Sequence, residues 1–210
     1  MGLSNILPLK INGLATDGHN AVSLRKSPQA RRAMWVLLSA HARFALGARC
    51  RDLPPEWFVS EGGDDDFNNP IIANMAALRL GRMMDTRAFA EAKDFASRAL
   101  REGGKMPELM KNELRCELLF LETINEPRPR AEEVERLRTP ELQKYIRQSK
   151  THLSKHRITY AYEKLIARNE GNAAKALEGF RKTCLAYPYA GDCESERELM
   201  AIIDGKASAV

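Results

Sequence analysis

Valine occurs only five times in 210 residues, and four cysteines are scattered along the chain. Little valine beside abundant alanine and leucine argues against a sheet protein and for helices. Cys50, Cys116, Cys184 and Cys193 form no Cys-x-x-Cys pair. In a chain of this length a disulfide framework is not expected, and reduced thiols in a cytoplasmic protein are the reading. Long apolar runs are also missing. The greasiest stretch, Ala33 to Ala48, is interrupted by His41 and Arg43 and falls short of the ~20 apolar residues that a spanning helix needs. The N-terminal MGLSNILPLKING has neither the charged start nor the long apolar region of a secretory signal. Ile6 stands where a myristoylation signal requires Ser or Thr.

Negative charge is absent from one segment. Between Gly18 and Arg51 there are seven basic residues and no acidic one. The net charge of +5 for the whole chain hides this asymmetry, since residues 1–51 carry +7, 52–126 carry −6, 127–157 carry +5 and 158–210 carry −1. A one-sided basic segment suits an anionic membrane surface, with Arg25, Lys26, Arg31 and Arg32 as its candidate contacts. Arg43, inside the apolar run, is expected to pair internally with an acidic residue. The alternative is that these arginines pair with the acidic middle of the same chain, including Asp64, Asp65 and Asp66. No nucleic-acid partner is expected, because no basic motif interleaved with aromatics and no zinc-finger spacing is present.

What is plentiful is helix punctuation. Ser27-Pro28, Asn69-Pro70 and Thr139-Pro140 each place a capping side chain before a proline suited to a first helical turn. Gly103-Gly104 closes one helix, and Gly171-Asn172 reads as a stop followed by a cap. The pattern predicts an all-α protein of about eight helices, near 28–48, 69–84, 86–102, 107–125, 131–149, 151–169, 173–186 and 193–204. Residues 51–68, with two prolines, two glycines and a run of aspartates, read as a loop. Ala77-x-x-Leu80-Gly81-x-x-Met84 resembles the first helix of a tetratricopeptide repeat, with Ala and Met in place of the usual Trp and Tyr. Ala92, Ala96 and Ala99, and later Ala176-x-x-x-Phe180 with Pro188, resemble its second helix. The resemblance spans roughly 67–190 and implies antiparallel hairpins stacked as a right-handed array. An ordinary bundle would place the same alanines at its helix crossings.

Complete chemistry is harder to find. His152-Leu-Ser-Lys-His156 sets two imidazoles one helical turn apart, a possible two-point zinc contact, but lacks the glutamate of His-Glu-x-x-His. Glu61-Gly-Gly-Asp-Asp-Asp66 lacks the alternating spacing of a calcium loop. Tyr160, Tyr162, Tyr187 and Tyr189 could line a peptide groove or simply pack between helices. No Ser-His-Asp, Cys-His or phosphate-loop pattern is present.

The N-terminus carries one further pattern. Asn5-Ile-Leu-Pro8, followed by Asp17-Gly18 in LATDGHNAVSLRKSP, resembles the third conserved motif of site-2-protease-like membrane zinc metallopeptidases. Glu141 to Ile146, Tyr160 to Leu165 and Tyr187-Pro188-Tyr189 are similar to the soluble regions of bacterial members. The resemblance implies that Asp17 occupies a zinc-ligand position, with Asn5 and Pro8 shaping the loop before it. This chain departs from the family by having no His-Glu-x-x-His and no spanning helices, so two protein ligands and the general base are missing.

The resulting division is a motif remnant at 1–20, a basic helix with an acidic linker at 21–66 and a tetratricopeptide-like domain at 67–205. The functional reading is a non-catalytic module binding protein or peptide, in the cytoplasm or at the cytosolic membrane face, from a zinc-dependent parent or a truncated relative. A standalone scaffold unrelated to proteolysis is the competing reading, and an enzyme with zinc at His152 and His156 a further one. Purified from metal-free buffer, the chain should therefore show no peptidase activity and no stoichiometric zinc. Zinc bound one to one and lost on His152→Ala would overturn this.

Overall fold

The computed structural model describes residues 10–11, 14–15, 24–25, 27–59, 65–125 and 129–208. Two two-residue strands, β1 (Lys10–Ile11) and β2 (Leu14–Ala15), pair antiparallel. Among the described residues everything else regular is helical, in keeping with the composition. The helices are α1 (Pro28–Ala45), α2 (Pro70–Asp85), α3 (Phe89–Glu102), α4 (Glu108–Thr123), α5 (Ala131–Leu137), α6 (Pro140–Gln148), α7 (Leu153–Leu165), α8 (Glu170–Ala186) and α9 (Ala190–Ser208). Among the described residues no helix is long and apolar enough to cross a membrane.

The capping side chains set several of these boundaries. Ser27, Asn69 and Thr139 each accept a backbone N–H from the first turn that follows, and each precedes a proline. Thr139 and Pro140 divide the stretch expected as one helix over 131–149 into α5 and α6. Proline has no N–H to donate, and the Thr139 cap restarts the ladder. Gly171 is not a stop. Asn169 caps α8 by accepting from the Asn172 amide, and the glycine lies within the first turn. The expected loop at 51–68 contains two short 3-10 turns, Cys50–Asp52 and Pro55–Phe58. The last helix starts earlier and runs further than its expected 193–204.

Helix α4 is central, packing against α2, α3, α5, α6 and α7. From Leu118 to Thr123 every residue of it is buried. A helix end buried all round accounts for the nearly continuous apolar run Leu118-Leu-Phe-Leu121. Ala92, Ala96 and Ala99 of α3 have no exposed surface, so small side chains do mark the tight crossing that their spacing suggested. A second apolar cluster joins α1 to α2 through Ala30, Val36, Ala40, Phe44, Ile71 and Met75, with Leu53 and Trp57 closing it. Helix α9 returns from the end of the chain to reach both α7 and α1. Its second residue, Gly191, lies so near the turn after α1 that an added Cβ would sit 2.4 Å from the Ala48 carbonyl oxygen. A cleft lined by residues of α2, α4, α7 and the start of α9 opens beside it.

Candidate functional site

The floor of the cleft is built from charge. Helix α7 begins with no acidic residue in its first turn, yet buries Lys155 at 2% exposure and Arg157 at 1%. Two cations at a helix N-terminus oppose the helix dipole, and burial removes their hydration. Carboxylates from the neighbouring helices compensate. Glu113 and Glu117, one turn apart on α4, meet Lys155 and Arg157 in order. Lys155 Nζ donates to Glu113 Oε2 at 2.6 Å, and the Tyr145 hydroxyl donates to Oε1 of the same carboxylate. Arg157 Nη2 donates to both oxygens of Glu117 at 2.8–2.9 Å, and Nε donates to Glu196 Oε2 of α9 at 2.6 Å. The guanidinium also lies 4.0 Å from the Phe120 ring centroid, a position suited to cation–π attraction. A single buried arginine thereby ties α4, α7 and α9 together.

The electrostatics follow from these contacts. Burial alone would lower the Arg157 pKa, but Glu117 and Glu196 outweigh it and hold the guanidinium charged. Burial also acts on Glu113, where Lys155 wins and the carboxyl falls below its ordinary value. For Glu196 burial prevails over the pull of Arg157, and the carboxyl moves up.

A second charged cluster frames the cleft from the side. Asp85, buried at the C-terminal end of α2, accepts from Arg49 Nη2 at 2.5 Å, from the Arg51 amide at 2.8 Å and from Ser195 Oγ at 2.7 Å. Glu198 of α9 accepts from Arg49 Nη1 at 2.6 Å and also from Arg51. The turn after α1, the end of α2 and the middle of α9 are clamped by these contacts. Although burial opposes ionisation of Asp85, hydrogen bonds from Arg49, Arg51 and Ser195 lower its pKa to about 2. Glu198 falls to about 2 through its bonds to Arg49 and Arg51.

The cleft itself has a volume of about 320 Å³. Leu80, Met84, Leu114, Leu153 and Leu199 supply apolar wall, and Tyr187 an aromatic edge. The carboxylates of Glu113, Glu117, Asp192 and Glu196 line it, against Arg157 as the one permanent cation among the described lining residues. Asp192, in the first turn of α9, is half-buried and makes no hydrogen bond or ion pair among the described residues. Burial pushes its carboxyl up from the ordinary value and the nearby Asp85 adds to the shift, against a smaller opposing pull from His41. Cys50 also faces the cleft, but burial lifts its thiol to about 12 and makes it a poor nucleophile. The lining supplies acceptors, apolar surface and a desolvated negative charge, an arrangement that recognises a cation attached to an apolar body.

The residues marked in the sequence fare differently. His152 is exposed, precedes the helix as its cap residue and lines the cleft. His156 Nε2 instead lies 2.8 Å from the Lys150 carbonyl oxygen and 3.1 Å from Thr183 Oγ1, and burial lowers its pKa. The helical spacing that would pair the imidazoles does not apply, since His152 stands outside the helix. Among the described residues no group of three or more His, Cys, Asp or Glu could hold a metal ion. Asn5, Pro8, Asp17 and Lys26 lie outside the described residues, as does Asp64. Asp65 pairs with Arg79 and Arg98. Of the four tyrosines, Tyr187 reaches the cleft, whereas Tyr160 donates to Asp204 and Tyr162 to Glu135.

Arg43 corrects an expectation. It is exposed and makes no ion pair with an acidic residue among the described residues, its guanidinium lying 5.3 Å from the Trp57 ring centroid. Sequence reasoning missed Asp85, Asp192 and Glu196 altogether. The only signal available was the acidic start of α9, where Asp192, Glu194, Glu196 and Glu198 alternate. Comparison of the chain with protein-family models, with curated proteins and with solved structures found no match.

The lowered carboxyls fix the acid behaviour. A carboxylate whose folded pKa lies below its unfolded value contributes stability that is full above the unfolded pKa and is lost as pH falls. For Asp85 and Glu198 the loss runs from about pH 4.5 down toward 2. Urea unfolding across that range should show the decline, and Asp85→Asn should flatten it while lowering stability near neutrality by about 3 kcal/mol. An unchanged acid profile in Asp85→Asn would contradict the assignment.

Proposed function

We propose that this chain is a non-catalytic helical interaction module, and that its cleft binds a cationic, partly apolar segment of another protein. The Asp192 carboxylate carries the reading: it is half-buried, without an ion-pair partner among the described residues, and set in a wall of apolar side chains. An ionised group in that setting is poorly solvated, and a lysine or arginine entering the cleft supplies the charge that burial leaves unmatched. Met84, a deformable side chain at the wall, suits segments of varied shape. The helices provide the walls as a stack of hairpins in the tetratricopeptide manner, a design that presents concave surface to partners.

The resemblance of the stretch from Asn5 to Asp17 adds a setting. On that basis the module is the cytosolic part, or a truncated relative, of a site-2-protease-like membrane zinc metallopeptidase. Recognition of a partner by the cleft does not depend on this attachment, and a standalone scaffold would use the same cleft.

Calorimetric titration with short peptides tests the binding. Peptides combining lysine or arginine with leucine should bind, and their acidic counterparts should not. Asp192→Asn should weaken the cationic peptides by about tenfold or more, the worth of one charge-assisted contact. Binding by the unaltered chain should fade as pH falls through the raised Asp192 pKa, because the protonated acid offers no charge, and this dependence should shrink in Asp192→Asn. Equal binding of acidic and basic peptides, or an Asp192→Asn variant indistinguishable from the parent, would overturn the proposal.

A further inference from the structure

Helix α1 is apolar on two faces. Ala30, Ala33, Val36, Ala40 and Phe44 are buried against the rest of the molecule. On the opposite side Trp35 and Leu38 are 57% and 63% exposed, and Leu46, just past the end of the helix, is 87% exposed. With 3.6 residues per turn, Arg31, Trp35, Leu38, Ala42 and Ala45 fall within an arc of about 80°, and all five are exposed. Val59, 60% exposed, is held beside this face by Arg32, whose Nη1 donates to its carbonyl oxygen at 2.9 Å. A run of exposed large apolar side chains along one helix face is not scatter, and marks a surface that meets something.

The charges say what. No acidic residue occurs in α1 or in the ten residues before it. Arg25 and Arg31 are exposed at its N-terminal end and Arg43 at its other end. None of the three pairs with a carboxylate among the described residues, Arg31 instead donating to the carbonyls of Leu24 and Arg25. Arg49 and Arg51, by contrast, are spent on Asp85 and Glu198 and add nothing to this face. A tryptophan and leucines flanked by cations that meet no carboxylate among the described residues is the chemistry of an interfacial helix. The apolar side chains enter the headgroup–acyl boundary, and the arginines extend to the phosphates. A second copy of this chain fits worse, because packing an acid-free face on itself sets cations against cations.

We propose that α1 is a membrane-surface helix that lies flat on an anionic leaflet, with Trp35, Leu38 and Leu46 inserted and Arg25, Arg31 and Arg43 on the headgroups. The proposal is independent of what the cleft binds. The full chain is tested with vesicles of phosphatidylcholine alone and of phosphatidylcholine containing about one-third phosphatidylserine. At low salt it should sediment with the anionic vesicles only. In a Trp57→Phe chain the Trp35 emission should shift to the blue on binding. Partitioning should fall at least tenfold near 0.5 M salt, where the Debye length is about 4 Å. Leu38→Glu and, separately, Leu46→Glu should each abolish binding with helicity and the unfolding midpoint unchanged, both sites being exposed. Arg25→Glu with Arg31→Glu should reduce partitioning by about 100-fold. Lys175→Glu with Arg181→Glu, an equal change of net charge on α8, should leave it intact. Three results would overturn the proposal. These are indifference to anionic vesicles at low salt, equal losses from the α1 and α8 charge reversals, and a concentration-dependent dimer that Leu38→Glu dissolves.

Discussion

The guanidinium of Arg157 is the point on which the centre of the molecule depends. It is buried at the start of α7, where the helix dipole and the loss of hydration both disfavour it. Glu117 and Glu196 reach it from α4 and α9, and it lies over the ring of Phe120. Removing either carboxylate would leave a charge stranded in the interior, a defect that typically costs 3–5 kcal/mol. The relative positions of three helices are therefore coupled to one side chain. Lys155 with Glu113 repeats the arrangement one step along the same helices.

An apolar layer of similar volume could stabilise such a crossing equally well. The ionic layer does something that an apolar one would not: it leaves carboxylates along the wall of a cleft that is otherwise built of leucine and methionine. The clamp of Asp85 and Glu198 on Arg49 and Arg51 then fixes α9 laterally and carries Asp192 to the cleft rim, where its carboxylate makes no hydrogen bond or ion pair among the described residues. The basic segment of the chain is thus divided in its uses. Arg49 and Arg51 hold the interior, whereas Arg25, Arg31 and Arg43 stay on the outside with the exposed face of α1.

The sequence makes local structure far more legible than the site. Caps at Ser27, Asn69 and Thr139 act through a side chain and a backbone amide two or three residues away, and such short-range chemistry is readable from spacing. The buried alanines of α3 are readable for the same reason, as their period is that of one helix. Yet Thr139-Pro140 carries the marks of a helix start while the prediction over 131–149 runs one helix through it. The cleft lies beyond that horizon. Glu117 meets Arg157 across forty residues and Asp85 meets Ser195 across 110, so nothing in local pattern pairs them. His152 and His156 illustrate the reverse error: their spacing suggests one helix face, but a helix that begins at Leu153 leaves the first of them outside it.

The carboxylate-lined cleft is proposed as the recognition surface for cationic partners. Methyl and backbone NMR spectra recorded while a lysine- and leucine-containing peptide is titrated into the full chain test it most directly. The account predicts shifts concentrated at Leu80, Met84, Leu114, Asp192 and Leu199, with Trp35 and Leu38 on α1 unmoved. Shifts concentrated on α1 or scattered over the acidic surface, with the cleft resonances unchanged, would contradict it.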